Sequence, residues 1–387
     1  MLSKICLFFS LSLSVAAMDD TARSNNAFGF SLFNEASAPG QNLVLSPFSI
    51  WSALAMTSAG AEGETLKEMR KVLSLPASGS QELVGGWSAS LTQAKGVQMS
   101  VANRLWGNKS TTFKPGFLSV AEKQYGAGLE TVSFSANPDA ARKQINHWVA
   151  GKTHDKITDL LAPGTVGRDT RLVLTNAVYF QGLWQIPFKA SLTHKEPFKT
   201  SASTTVSADA MFVTLHAGYY ENSRLQAVKL AYKGEEMAMI VVLPKEAGAL
   251  ADRSFLGASQ FADIFQGTQG WEQVVVQLPK FEASAKLELP SMLKKLGMRR
   301  AFTDKAQYQP MAEEPVKLSE VVHQAWIKVT EQGTEAAAAT AVGVRTLSAP
   351  RRQEPKKFTV DHPFLFFVVD DRNGGIVFAG RIMDPTK

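Results

Sequence analysis

The chain of 387 residues has one cysteine, Cys6. It lies in a stretch that reads as a removable leader, so the remaining chain has no disulfide and no thiol nucleophile. A core of this size holds without cross-links, and their lack does not argue against export. No stretch of about 18 consecutive apolar residues is present to span a bilayer. Also missing are the G-x-S-x-G elbow, the H-E-x-x-H zinc helix, the G-x-x-x-x-G-K-[ST] phosphate loop and G-x-G-x-x-G. The six histidines, His147, His154, His194, His216, His323 and His362, are scattered. None sits beside carboxylates at a ligand spacing, so neither a metal nor a cofactor is expected. A catalytic triad assembled only in space stays open on these grounds, because geometry and not order defines one.

Charge is only weakly one-sided, at +6. The basic doublets Lys294/Lys295, Arg299/Arg300, Arg351/Arg352 and Lys356/Lys357 lack the interleaved aromatics of nucleic-acid binders and read mainly as a solvated face. A contact with a polyanion through Arg351 and Arg352 is the one exception considered.

Residues 1–17 carry one cation at Lys4, an apolar run from Ile5 to Val15 broken by serines, and small residues Val15, Ala16 and Ala17 before Asp19 and Asp20. This is the layout of a secretory signal peptide. The expected product, residues 18–387, is soluble and extracellular, or periplasmic in a Gram-negative source, with no membrane or nucleic-acid partner. Its charge falls to +5 with the loss of Lys4.

Helical spacing marks Asn26 to Phe33, Ser49 to Gly60, Glu62 to Leu73, Asp139 to Leu161 and Leu287 to Leu296. Short runs rich in β-branched and aromatic residues mark strands at Asn42 to Ser46, Leu172 to Phe180, Ala227 to Leu230, Met237 to Leu243 and Val274 to Leu278. Phe364 to Val369 and Ile376 to Gly380 flank Asn373-Gly374-Gly375, a hairpin signal. With no internal repeat and no long linker, the chain reads as one α+β domain.

One segment is in local conflict. Trp326 to Thr330 alternates like a strand, and Glu331-Gln332-Gly333-Thr334 then runs into Glu335-Ala336-Ala337-Ala338-Ala339-Thr340-Ala341-Val342-Gly343-Val344. Glu335 and four alanines favour helix. Yet Thr334, Ala336, Ala338, Thr340, Val342 and Val344 form one uncharged face at strand period, with Glu335 and Arg345 on the other. Gly333 supplies a pivot. Composition leaves open a flexible alanine-rich linker or a segment able to be both loop and inserted strand.

Glu331 to Thr340 resembles the hinge of an inhibitory serpin's reactive-centre loop. Phe358-Thr359-Val360-Asp361-His362-Pro363-Phe364-Leu365-Phe366 is similar to that family's C-terminal signature. Asn42 to Met56, Leu174 to Phe180 with Gly182 and Trp184, Leu278-Pro279-Lys280-Phe281 and Leu296-Gly297-Met298 fit in order, from about Asp20 to Pro385.

The resemblance implies a single serpin domain: helices around a large central β-sheet, with smaller sheets and an exposed loop at about 331–349. It implies a monomeric suicide substrate, not an enzyme, whose partner is a serine protease trapped covalently as the cleaved loop enters the sheet. Counting Glu331 as the first hinge residue makes Leu347 the seventeenth, so Leu347–Ser348 is the expected reactive bond. Leucine there suits chymotrypsin-like, cathepsin G-like or subtilisin-like proteases. Cleavage at Arg345–Thr346 by a trypsin-like protease, or after Val342 or Val344 by an elastase-like one, would leave a shorter insert; a cysteine protease is a further alternative. By the same resemblance Ser46, Ser49, Asn176 and His323 form a shutter across the sheet, and Glu331 pairs with Lys280 beneath Trp184 at a breach where the loop enters. A non-inhibitory carrier, chaperone or cleavable serpin is the main rival. Two departures stand out: Ala306 to Met311 replaces a more usual run, and Ser348 to His362 is a few residues longer than in compact members.

Overall fold

The computed structural model describes residues 18–76, 78–126, 128–334 and 354–387. Among these residues there are eight α-helices: α1 (Asp20–Ala36), α2 (Pro47–Ser58), α3 (Gly63–Leu73), α4 (Ser80–Thr92), α5 (Pro115–Tyr125), α6 (Pro138–Lys152), α7 (Ala258–Gly267) and α8 (Leu289–Leu296). The strands of the first half are β1 (Leu43–Leu45), β2 (Val97–Asn108), β3 (Leu129–Val132) and β4 (Leu172–Leu183). They are followed by β5 (His194–Lys199), β6 (Thr205–Glu221), β7 (Leu225–Ala231), β8 (Met237–Pro244), β9 (Glu272–Pro279) and β10 (Phe281–Glu288). The last are β11 (Leu318–Thr330), β12 (Gly333–Thr334), β13 (Lys356–Thr359), β14 (Phe364–Asp370) and β15 (Gly375–Ile382).

Two main sheets result. One runs β1-β15-β14-β8-β7-β6-β9-β13, with β5 added on β6; the other, the central sheet, runs β10-β11-β12-β4-β2-β3. Strands β8, β14 and β15 are buried on both faces, as their nearly unbroken apolar runs require. The helix between the sheets is α2, buried along its whole length. Its first turn is fixed by Pro47 just inside the start and by Ser46, whose hydroxyl oxygen accepts from the Ser49 amide at 3.2 Å. A second, smaller core lies between the other face of the central sheet and α6, built from Trp106, Phe134, Ile145, Val149, Val173 and Val322.

Three differences from the sequence reading have physical causes. The helix expected to reach Leu161 ends at Lys152, where His154 and Asp155 take left-handed backbone angles of φ 51° and 58°. The apolar residues beyond it, Ile157, Leu160 and Leu161, pack back on the same core, and Asn146 holds the return through both the carbonyl and the amide of Leu161. Leu287 and Glu288 belong to β10, paired with His323 and Val322, and the helix starts at Leu289. Strand β2 carries no clean alternation because Asn103 and Arg104 serve polar contacts on its two faces.

Candidate functional site: the seam of the central sheet

The central sheet contains a seam between β4 and β11. These two strands pair directly and in parallel over eight rungs, from Leu172↔Leu318 up to Tyr179↔Trp326. Above the last rung the pairing changes. Strand β11 ends at Thr330, the chain turns through Glu331 and Gln332, and β12 comes back between the two strands, antiparallel to both: Thr334 lies opposite Val329 and Gly182, Gly333 opposite Thr330 and Leu183.

This turn is tightly held. Gly333 has φ +149°, and a Cβ there would stand 2.1 Å from the Gly182 carbonyl oxygen, so only glycine fits. Thr334 is fully buried, and its hydroxyl shares a 2.7 Å hydrogen bond with Tyr232. Trp184 stacks on Tyr232 at 4.7 Å and donates its indole N–H to the Thr330 carbonyl at 3.0 Å. The Trp184 and Phe188 amides donate to the carbonyls of Gln332 and Glu331. Lys280 Nζ lies 3.1 Å from the Glu331 carboxylate, which also accepts from Thr193 at 2.9 Å. Burial works to raise the Glu331 pKa, but hydrogen bonds from its own amide, Thr193 and Lys280 outweigh it and hold the carboxyl below its ordinary range.

The first closed rung lies just below. The Tyr179 and Trp326 rings stack at 6.0 Å and 15°. The loop after α6 covers them: the His154 ring is 5.2 Å from Tyr179, and Lys156 Nζ sits 4.6 Å over Trp326. Parting the strands here therefore requires that loop to shift.

Three rungs further down, His323 faces Asn176. The Ser46 amide donates to His323 Nε2 at 3.2 Å, which fixes that nitrogen as acceptor and leaves Nδ1–H to donate to Asn176 Oδ1. Asn176 Nδ2 donates to Ser49 Oγ at 2.6 Å and to Asn103 Oδ1. Asn103 in turn donates to the Ser49 carbonyl and to Ser52 Oγ, both at 3.2 Å, and Ser46 Oγ donates to the Val377 carbonyl at 2.7 Å. Burial drives the His323 pKa down to about 3, against a smaller opposing effect of the bond to Asn176. The ring is neutral, as its role as acceptor from Ser46 demands.

Ser46, Ser49, Asn176 and His323 thus meet in one network; Glu331 pairs with Lys280, and Trp184 bonds the carbonyls of Thr330 and Gln332 on either side of Glu331. Sequence reading missed Asn103, Ser52, Thr193 and Tyr232. Asn103 is a polar residue in the middle of a strand, which is the signal that could have found it. Asn108, in the sequon Asn108-Lys109-Ser110, is buried and bonds Ser110 Oγ. Glu335, Ala336, Ala337, Ala338, Ala339, Thr340, Arg345, Thr346, Leu347, Ser348, Arg351 and Arg352 lie outside the described residues.

Because the folded His323 pKa lies below the unfolded value near 6.5, the unfolded chain takes up the proton first as pH falls. The contribution of His323 to stability is complete above about pH 6.5 and is lost progressively toward about pH 3, with a slope of up to roughly 1.4 kcal/mol per pH unit. Urea midpoints across this range should fall more steeply in the native chain than in His323→Gln; equal slopes would refute the assignment. Gly333→Ala should cost about 1–3 kcal/mol and speed amide exchange at Thr334 by unseating β12; unchanged exchange there would show that the turn is not constrained as described.

A model for Serpin (serine protease inhibitor) matches residues 23–385. An uncharacterized serpin-like protein of Thermococcus kodakarensis is 38% identical, covering 93% of this chain and 84% of that one. Human leukocyte elastase inhibitor is 35% identical over 95% of this chain and 100% of its own. The crystal structure of Serpin48, described as a highly specific serpin of the insect Tenebrio molitor, superposes with a TM-score of 0.82 at 31% identity, covering 94% of this chain and 98% of that one. A fold of two sheets around a buried helix, and a match along nearly the whole chain, lead to one conclusion: the chain belongs to the serpin (serine protease inhibitor) family, which is not a family of enzymes.

Proposed function

We propose that this serpin is an exported, inhibitory member that traps a serine protease by inserting its cleaved loop between β4 and β11. The observation that carries the reading is β12, two residues of the hinge already seated between the strands that would have to part. If the same register continued, Ala336, Ala338, Thr340, Val342 and Val344 would follow Thr334 down the core face, opposite Phe180, Val178, Asn176, Leu174 and Leu172. All five are small or β-branched, and the charged Glu335 and Arg345 fall on the other face. Thr340 would arrive between Asn176 and His323, bringing a hydroxyl to the point where that hydrogen bond must break.

Ten inserted residues would replace one parallel pairing by two antiparallel ones. The net gain is roughly ten ladder hydrogen bonds, on the order of ten kcal/mol at about 1 kcal/mol each. That gain can proceed only after the loop is cut, and it competes with hydrolysis of the acyl-enzyme, whose nucleophile is the protease's own serine. Leu347–Ser348 is the proposed reactive bond, and chymotrypsin-like, cathepsin G-like or subtilisin-like proteases are its proposed partners. The name of the human relative, leukocyte elastase inhibitor, favours elastase-like proteases as the second reading, with attack after Val342 or Val344. Export rests on the leader-like residues 1–17. The cap that starts α1, an Asp19 carboxylate accepting from the Ala22 amide at 2.7 Å, follows directly after them. Arg351 and Arg352, in the lengthened segment after the bond, are the proposed polyanion contact.

Mixing the purified chain with chymotrypsin, trypsin and an elastase should give a boiling-resistant complex with chymotrypsin and a released peptide beginning at Ser348. Thr334→Arg, which forces a charge into the first buried position of the slot, should still be cut at the same bond but form at least tenfold less complex. Clean cleavage of the native chain, with neither complex nor thermal stabilisation, would instead identify a substrate-like or carrier serpin.

A further inference from the structure

Away from the seam, a cavity of about 230 Å³ opens between residues 184–188, the middle of β6, the end of β7 and the turn 269–271, with Glu235 and Asp371 also in its lining. Its walls are apolar, formed by Ile186, Phe188, Val213, Leu215, Leu230 and Trp271. Two of these are among the few large apolar side chains exposed in the described residues, Trp271 at 73% and Ile186 at 39%. The turn that carries Trp271 is set by the fold: Gly218 approaches Thr268 so closely that a Cβ there would stand 1.8 Å from its carbonyl oxygen. An indole left in water on a fixed turn, at the mouth of a cavity with a few polar groups inside, has the form of a small-molecule site.

The polar groups decide which molecule. Lys229 Nζ spends its hydrogens on Gln269 Oε1 and on both Asp371 oxygens, each at 3.0 Å. An incoming carboxylate therefore finds no free ammonium. Asp371, by contrast, keeps lone pairs beyond those used by Lys229. The ionisable lining is Lys229 against Asp371 and Glu235, with His216 at the rim, so the cavity has an excess of one negative charge in a chain of net +6. The apolar walls and the exposed indole suit an aromatic ring, the excess negative charge suits an ammonium, and the volume, below the usual range for drug-sized ligands, suits one or two rings. We propose that this cavity binds a small amphipathic amine, with its ring against Ile186 and Trp271 and its ammonium toward Asp371 and Glu235. The proposal does not rest on protease inhibition.

Calorimetric titration of the full chain with 2-phenylethylamine, 3-phenylpropionate and propylamine tests it. The expected result is saturable one-to-one binding of 2-phenylethylamine, at least about tenfold tighter than either the matched anion or the ringless amine. Trp271→Ala, a change on an exposed turn, should weaken binding about fivefold or more and leave the melting temperature of the free chain unchanged. Asp371→Asn frees Lys229 and should invert the preference toward 3-phenylpropionate, which a merely damaged fold would not do. Equal binding of amine and anion by the native chain, binding indifferent to Trp271, or titration without saturation would each overturn the proposal.

Discussion

The hydrogen bond from His323 to Asn176 crosses the seam between β4 and β11, below the two residues of β12 that sit between these strands. Every layer of the molecule bears on it. The imidazole sits deep in the structure and must stay neutral, because Nε2 receives the amide that starts α2 while Nδ1 donates across the seam. Asn176 passes the connection to Ser49 and Asn103, on α2 and β2. The buried helix, the two strands of the seam and the neighbouring strand are thereby fixed relative to one another by groups that would each cost free energy if left unpaired. A network of this kind resists partial opening: loosening one partner exposes the others.

Much of the fold was legible in the sequence because burial on both faces writes long apolar runs, as in β8 and β14. The glycine-rich hairpin between β14 and β15 was equally plain, while α2 was read from Ser49 and begins two residues earlier, at Pro47. Strand β2 was not, because its side chains serve a helix on one side and a polar network on the other. The tail expected to continue α6 was misread for a related reason: apolar spacing reports that residues are buried, not that the backbone between them stays helical. His154 and Asp155 turn the chain back while keeping Ile157 and Leu160 in the same core.

For the site, the resemblance supplied residues that spacing alone could not join. Ser46 and His323 are separated by 277 positions, and nothing in either neighbourhood announces the other. The members it did not supply were of two kinds. Asn103 and Ser52 complete a network whose other partners were known, and they could have been found by asking what satisfies a buried amide. Tyr232 and Thr193 hold β12 and Glu331 from elements remote in sequence, and only the assembled sheet brings them near. The small residues after Gly333 were informative for another reason, since their composition favours helix while their period-two pattern suits a strand.

The parallel pairing of β4 and β11 has a consequence for connectivity. A tight turn sends a chain back antiparallel to the strand it leaves, and since β4 runs alongside β11, the returning segment is antiparallel to both at once. No other direction of travel is open to a strand arriving through Glu331 and Gln332, and it needs neither a crossover nor a second turn. The sheet is thus spliced by its own thread: a longer β12 would change neither the path of the chain nor its handedness, only how far one existing strand extends.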